Sequence, residues 1–137
     1  LTRLAWPELD STLLDSGESM KFLVVDDSAI DRHFLSSLLQ ELGHQVEVSE
    51  TTAGVLERIA DGQYSSVFLD IVMPDKDGYK FLRELRLNEQ TSNQHVIFCS
   101  TKATGVEVNY GLKRAGANDY LVKPVTRARL EQILQKI

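Results

Sequence analysis

The chain has 137 residues, 42% of them hydrophobic and 26% charged, with a formal net charge of -5 and a pI near 5.2. That length suits one domain able to bury a core without disulfide or metal staples, and the acidic balance argues against an intrinsic nucleic-acid surface, which needs clustered Lys and Arg. The single Cys, Cys99, excludes an internal disulfide and fits a reducing, cytoplasmic setting; no run approaches the ~20 apolar residues of a membrane span.

Residues 1–19 differ in character from the rest and form an N-terminal extension or linker ahead of a domain over 20–137. Pro7 is placed to open a short helix carrying Leu9, Leu13 and Leu14, and Trp6 is the only tryptophan. Two origins stay open for this segment: residues ahead of a native start at Met20, or the tail of a preceding domain.

From Lys21 the pattern is regular. Phe22-Leu23-Val24-Val25 is a buried strand that ends on two carboxylates, Asp26 and Asp27. Ser28 is the expected N-cap of a helix with an apolar stripe of Ile30, Phe34, Leu38 and Leu42, which Gly43 stops. Gln45 to Val48 alternates like an edge strand, and a weaker helix runs from about Thr52 through Val55, Leu56 and Ile59 to Gly62. The run Val67-Phe68-Leu69 then ends abruptly on Asp70, and the Pro74, Asp75, Asp77 and Gly78 cluster forces a loop.

Phe81, Leu82 and Leu85 mark the third helix, and Val96 to Cys99 the fourth strand, which ends on Ser100 and Thr101. Cys99 belongs to that run as core packing. The fourth helix, about Val106 to Ala115, is poor: Gly105 and Gly111 weaken it, and its stripe is little more than Val108 and Leu112. Asp119 to Pro124 is the fifth strand, and Leu130, Ile133, Leu134 and Ile137 give the last helix its apolar face. His33, His44 and His95 show no ligand spacing and are expected in loops or on the surface.

Strict alternation with short connections predicts an α/β fold: a five-stranded parallel sheet, (βα)5, doubly wound and flavodoxin-like. All strand ends then face one side, which collects Asp26, Asp27, Asp70, Ser100 and Lys123. Three carboxylates on one edge repel, which raises a pKa or calls for a cation. Mg²⁺ answers that demand because it prefers oxygen ligands and binds beside phosphate. With Lys123 as a point charge and the Ser100 hydroxyl as a donor, the set can hold a phosphoryl group while the Asp70 carboxylate attacks phosphorus.

Individually these residues have plainer explanations: a turn-capping Asp70, an acidic helix start at Asp26 and Asp27, a surface Lys123, a helix-capping Ser100. Jointly they require a run of coincidences on one sheet edge.

Phe22 to Asp27, Asp70 with Met73-Pro74 and Asp77-Gly78, Ser100, and Gly116 to Pro124 together resemble the receiver domain of two-component response regulators, over about residues 20 to 137. Ser100 to Lys102 and Gly111 to Lys113 further resemble stand-alone regulators of chemotaxis and twitching motility. The resemblance implies a phosphorylatable Asp70, with Mg²⁺ held directly by Asp27, Asp70 and the backbone carbonyl of Val72, and by Asp26 mainly through water. It implies a Lys123 that pairs with the phosphoryl group, a cis peptide before Pro124, and a switch pair of Ser100 and Tyr120. Val72 and Lys102 fall where the family tunes the lifetime of the phosphoryl group.

The same resemblance implies a sensor histidine kinase or phosphotransfer protein as donor, a downstream output protein or domain as target, and a switch that catalyses its own Asp phosphorylation and dephosphorylation without metabolic turnover. The fourth helix, fifth strand and last helix form the expected output face. Neither nucleic-acid binding by this domain nor a membrane is expected. Three alternatives fit poorly: a receiver-like binding module that is no longer phosphorylated usually lacks one of Asp70, Lys123, Asp27 or the hydroxyl; an Asp-nucleophile phosphatase wants a second Asp two residues on, where Val72 and Ser28 stand; and the phosphate of a flavin-binding module would be repelled by Asp26-Asp27.

Overall fold

A computed structural model describes residues 19–102 and 104–137. Expectations for Trp6 and for a helix after Pro7 fall outside the described residues. Five strands, β1 (Lys21–Val25), β2 (Gln45–Ser49), β3 (Ser66–Asp70), β4 (Val96–Ser100) and β5 (Asp119–Val122), alternate with helices α1 (Ala29–Glu41), α2 (Val55–Gly62), α3 (Gly78–Leu87), α4 (Gly105–Asn109) and α5 (Arg127–Leu134). All strand pairs are parallel, in the order β2-β1-β3-β4-β5. β3 is therefore central, and its five residues are all buried.

The strand period of two sorts side chains between two cores. Leu23, Val25, Val67, Leu69, Val96, Phe98 and Tyr120 face α2, α3 and the α4 segment. Phe22, Val24, Phe68, Ile97, Cys99 and Leu121 face α1 and α5. Both faces of β3 are covered, so its apolar run is unbroken; β2, at the edge, keeps the expected alternation from Gln45 to Glu47, but Val48 is exposed rather than inward-facing.

The α1 stripe differs from expectation. Ile30 and Phe34 are 81% and 49% exposed, while Leu35 and Leu39 are buried. Leu38 and Leu42 of the expected stripe do pack, partly buried, against the core, so the buried face of the helix is turned toward Leu35 and Leu39 and leaves out only the first half of the stripe. Helix α2 begins at Val55 rather than Thr52, because Gly54 enters in the left-handed conformation and Thr52 is occupied with Asp75, its Oγ1 donating to Oδ2 at 2.7 Å.

The α4 segment is α-helical only to Asn109 and continues as one π turn over Tyr110–Arg114, closed by the Ala115 N–H on the Tyr110 carbonyl at 2.9 Å. Gly111 lies inside it, where a Cβ would come within 3.1 Å of the Tyr120 ring and 3.2 Å of Phe98. Strand β5 stops at Val122, so Lys123 stands just beyond the sheet, and Ile137 lies past the end of α5 and is exposed.

Two histidines are more enclosed than expected. The His44 Nδ1 accepts from the Met20 N–H at 3.0 Å and its ring meets Phe22 edge-on, and the His95 Nδ1 is 2.8 Å from the Ser66 Oγ.

Candidate functional site

The sheet order reverses between β1 and β3, and in doubly wound folds the crevice at that point, outside the carboxyl ends of the strands, is where sites form. Asp26 follows β1 and Asp70 ends β3, so both flank this crevice. The Asp26 N–H donates to the Ser49 carbonyl at 3.0 Å, which fixes the chain as it leaves the sheet. Its carboxylate accepts from the Ser28 N–H at 2.9 Å and from the Lys123 Nζ at 2.8 Å. Asp27, the next residue, is exposed.

Gly78 lets the loop after β3 fold back over Asp70. Its N–H donates to the Ile71 carbonyl at 2.6 Å, and a Cβ there would lie 2.5 Å from the Asp70 carbonyl oxygen. Asp77 caps the following helix by accepting from the Lys80 N–H at 2.8 Å. The Asp-Gly pair in this loop therefore has two separate jobs, a cap and a close approach of backbone to backbone.

Carboxylate oxygens of Asp26, Asp27 and Asp70 lie within 4.8 Å of one another. Burial pushes the Asp70 carboxyl up to about 6; Lys123 opposes this and the Asp26 charge reinforces it. Burial works against the Lys123 ammonium, but hydrogen bonds to Asp26 and Asp31 and the charge of Asp70 outweigh it and raise its pKa. Lys123 reaches the Asp70 Oδ2 at 3.8 Å, and its N–H donates to the Ser100 carbonyl at 2.8 Å, which ties it to the end of β4. The Lys123-Pro124 peptide is cis.

Ser100 is buried, and its Oγ accepts from the Lys102 N–H at 3.1 Å. Tyr120 is also buried: its ring lies edge-on to Phe98 and its hydroxyl donates to the Lys102 carbonyl at 2.9 Å. Both therefore converge on the loop after β4. The Val72 side chain is 64% exposed, and its backbone N–H helps hold the Asp70 carboxylate ionised. Cys99 sits in the core, where burial drives its thiol pKa upward and disfavours the thiolate.

Three hard oxygen donors converging on a water-facing edge suit Mg²⁺, which binds through a few carboxylates and retains waters. The sequence reading missed one participant: Asp31, whose Oδ2 accepts from the Lys123 Nζ at 2.9 Å. Its position three residues after the Ser28 cap reads only as a favourable acidic first turn, and no local pattern links it to a lysine 92 residues away.

Comparison with known proteins agrees with this architecture. Residues 22–135 match the family model described as the response regulator receiver domain. Protein PilH of Pseudomonas aeruginosa is 33% identical over 117 residues, covering 85% of this chain and 96% of PilH. Hybrid signal transduction histidine kinase L of Dictyostelium discoideum is 34% identical over 121 residues, 85% of this chain but 7% of that protein. Among solved structures, the chemotaxis response regulator CheY4 of Vibrio cholerae superimposes with a TM-score of 0.77 at 28% identity, covering 86% of this chain and 98% of that one. The receiver domain of sensor histidine kinase PA1611 from Pseudomonas aeruginosa, solved with a magnesium ion in its active site cleft, gives 0.77 at 29% identity over 86% and 96%. Among the described residues, no helix is long and apolar enough to cross a membrane. The chain belongs to the response regulator receiver domains of two-component signalling, a family of switches rather than metabolic enzymes.

Proposed function

We propose that this chain is a phosphoryl-accepting switch in which Asp70 is the acceptor and a phosphohistidine of a sensor histidine kinase or phosphotransfer protein is the donor. One Asp70 carboxylate oxygen attacks phosphorus in line, the O–P bond forms as the P–N bond to the donor histidine breaks, and the nitrogen keeps the bonding pair. The observation that carries this reading is the buried Asp70 carboxylate at the end of the central strand, beside one ammonium and two further carboxylates.

Lys123, held by Asp26 at 2.8 Å and linked to β4, supplies a fixed positive charge for the arriving phosphoryl oxygens. The Ser100 hydroxyl donates to another of those oxygens once it turns from the Lys102 amide. Asp27, Asp70 and the Val72 carbonyl would hold Mg²⁺, with Asp26 acting through water; the ion, when bound, offsets the negative charge that the carboxylates and phosphate bring together. Because these groups belong to the chain itself, it promotes its own phosphorylation at Asp70 and the hydrolysis of the resulting aspartyl phosphate.

Movement of Ser100 toward the phosphoryl group reshapes the loop that Tyr120 grips through the Lys102 carbonyl. The change passes to α4, β5 and α5, the face offered to an output protein or domain. The π turn at Tyr110–Arg114 supports this route, since its hydrogen bonding already departs from the regular helix beside Tyr120.

Intact mass after incubation with Mg²⁺ and a small acyl-phosphate donor tests the reading. One phosphoryl adduct is expected in the parent chain and none in Asp70→Asn or without Mg²⁺; a folded, Mg²⁺-binding parent that takes no adduct, even from a phosphorylated donor kinase, would contradict it.

A further inference from the structure

Lys123 does not belong to Asp70 alone. Its Nζ donates to Asp26 at 2.8 Å and to Asp31 at 2.9 Å, and stands 3.8 Å from Asp70. An ammonium has three donors, so these two bonds leave one for a phosphoryl oxygen. The Asp31 carboxylate is placed from the first turn of α1, whose start is fixed by the Asp31 N–H donating to the Ser28 Oγ at 3.2 Å. Lys123 is largely enclosed, whereas the Asp31 side chain is 46% exposed. The bond is thus anchored on the lysine side and open to water on the Asp31 side.

We infer that Asp31 is a positioning residue that divides the Lys123 charge, holding the ammonium toward the rim of the site and weakening its grip on a phosphoryl group bound at Asp70. This rests on the reading of Asp70 as the acceptor. Two consequences follow with opposite signs. Neutralising Asp31 removes a negative charge beside the place where a phosphoryl group arrives and leaves the ammonium less divided, so an anion there binds more tightly. The same change withdraws negative charge from the cation site and frees Lys123 to turn onto Asp70, so Mg²⁺ binds more weakly. A residue that merely stabilised the fold would move both affinities the same way or neither.

The test is a pair of calorimetric titrations on the full chain, first with MgCl₂ and then, at saturating Mg²⁺, with fluoroberyllate as the stand-in for the phosphoryl group. For Asp31→Asn, Mg²⁺ affinity should fall about threefold and fluoroberyllate affinity rise about threefold, the modest size reflecting solvent screening of a half-exposed carboxylate. Asp31→Glu, which keeps the charge, should return both toward the parent values, and thermal melts check that each variant is folded. Affinities that stay put in folded Asp31→Asn, or that shift in the same direction, overturn the role of Asp31 alone. A parent chain that binds Mg²⁺ but no fluoroberyllate overturns the acceptor reading and the Asp31 role with it.

Discussion

The two ends of the sheet are built on opposite terms. At the amino ends of the strands, polar groups are matched: the Arg86 guanidinium donates to the carbonyls of Ser92, Gln94 and Gly116 and to the Asn118 Oδ1, and Asn118 in turn accepts from the Val96 N–H at 2.8 Å. At the carboxyl ends, the carboxylates of Asp26, Asp31 and Asp70 gather around one ammonium, Asp27 lies close to Asp26 and Asp70, and burial leaves Asp70 reluctant to ionise. Satisfied hydrogen bonds stabilise the first end; unmatched charge at the second suits the cation and phosphoryl group proposed for it. Stability and function are thus separated along the length of the same strands.

Mutations at the two ends should consequently differ in sign. Arg86→Ala strands several backbone acceptors at the amino end and should cost about 3 kcal/mol in urea denaturation. A loss below about 1 kcal/mol would show that water replaces the guanidinium freely.

At the carboxyl end, Asp70→Asn should instead stabilise the Mg²⁺-free chain, by on the order of 2 kcal/mol at pH 7. The sign follows from a folded-state pKa of about 6 against an ordinary value of 3.8. Below 3.8 both states are protonated and Asp70 contributes nothing, while between 3.8 and about 6 the folded state holds the proton more tightly. Stability of the parent therefore declines as pH rises through that window, and the penalty is complete above it. Melts of parent and variant from pH 3.5 to 7.5 should converge at the acid end and separate toward neutrality; a constant offset would contradict the assignment.

Gly111→Ala sharpens the comparison in the π turn that packs on the sheet between these ends. A methyl 3.1 Å from the Tyr120 ring has to displace it or shift the π turn, at a net cost of about 1 kcal/mol after the gain in helix propensity. Faster amide exchange over residues 105–115 would accompany the loss, and unchanged exchange would place the strain elsewhere. The smallest effect on stability belongs to Asp27→Ala. Because Asp27 is exposed, the melt should barely move, within about 0.5 kcal/mol. Mg²⁺ affinity should nevertheless fall roughly tenfold or more, since the remaining carboxylates supply too few oxygens.

Most of the architecture was legible because the strands announce themselves. Apolar runs that stop on Asp26, Asp70 and Ser100 mark the carboxyl ends of β1, β3 and β4, and alternation alone distinguishes β2 as the edge. The gathering of Asp26, Asp27, Asp70 and Lys123 follows from parallel strands whose ends share one side. What was not legible depends on choices made by distant partners. α1 carries enough leucine and aromatic character for two faces, and only its seat on β1 selects Leu35 and Leu39 over Ile30 and Phe34. Asp31 gains its partner across 92 residues, and His95 its Ser66 across the β3-β4 pairing. The π turn after Asn109 reflects a shift in backbone hydrogen bonding that apolar spacing does not encode, although Gly111 marked the place.

The central claim concerns which carboxylate accepts phosphorus. Borohydride reduction of the chain after reaction with an acyl-phosphate donor and Mg²⁺, followed by peptide sequencing in the mass spectrometer, would convert the phosphorylated aspartate to homoserine and locate it. Homoserine at position 70, and at neither 26 nor 27, is the predicted result. Homoserine at Asp26 or Asp27, with Asp70 intact, would contradict the account.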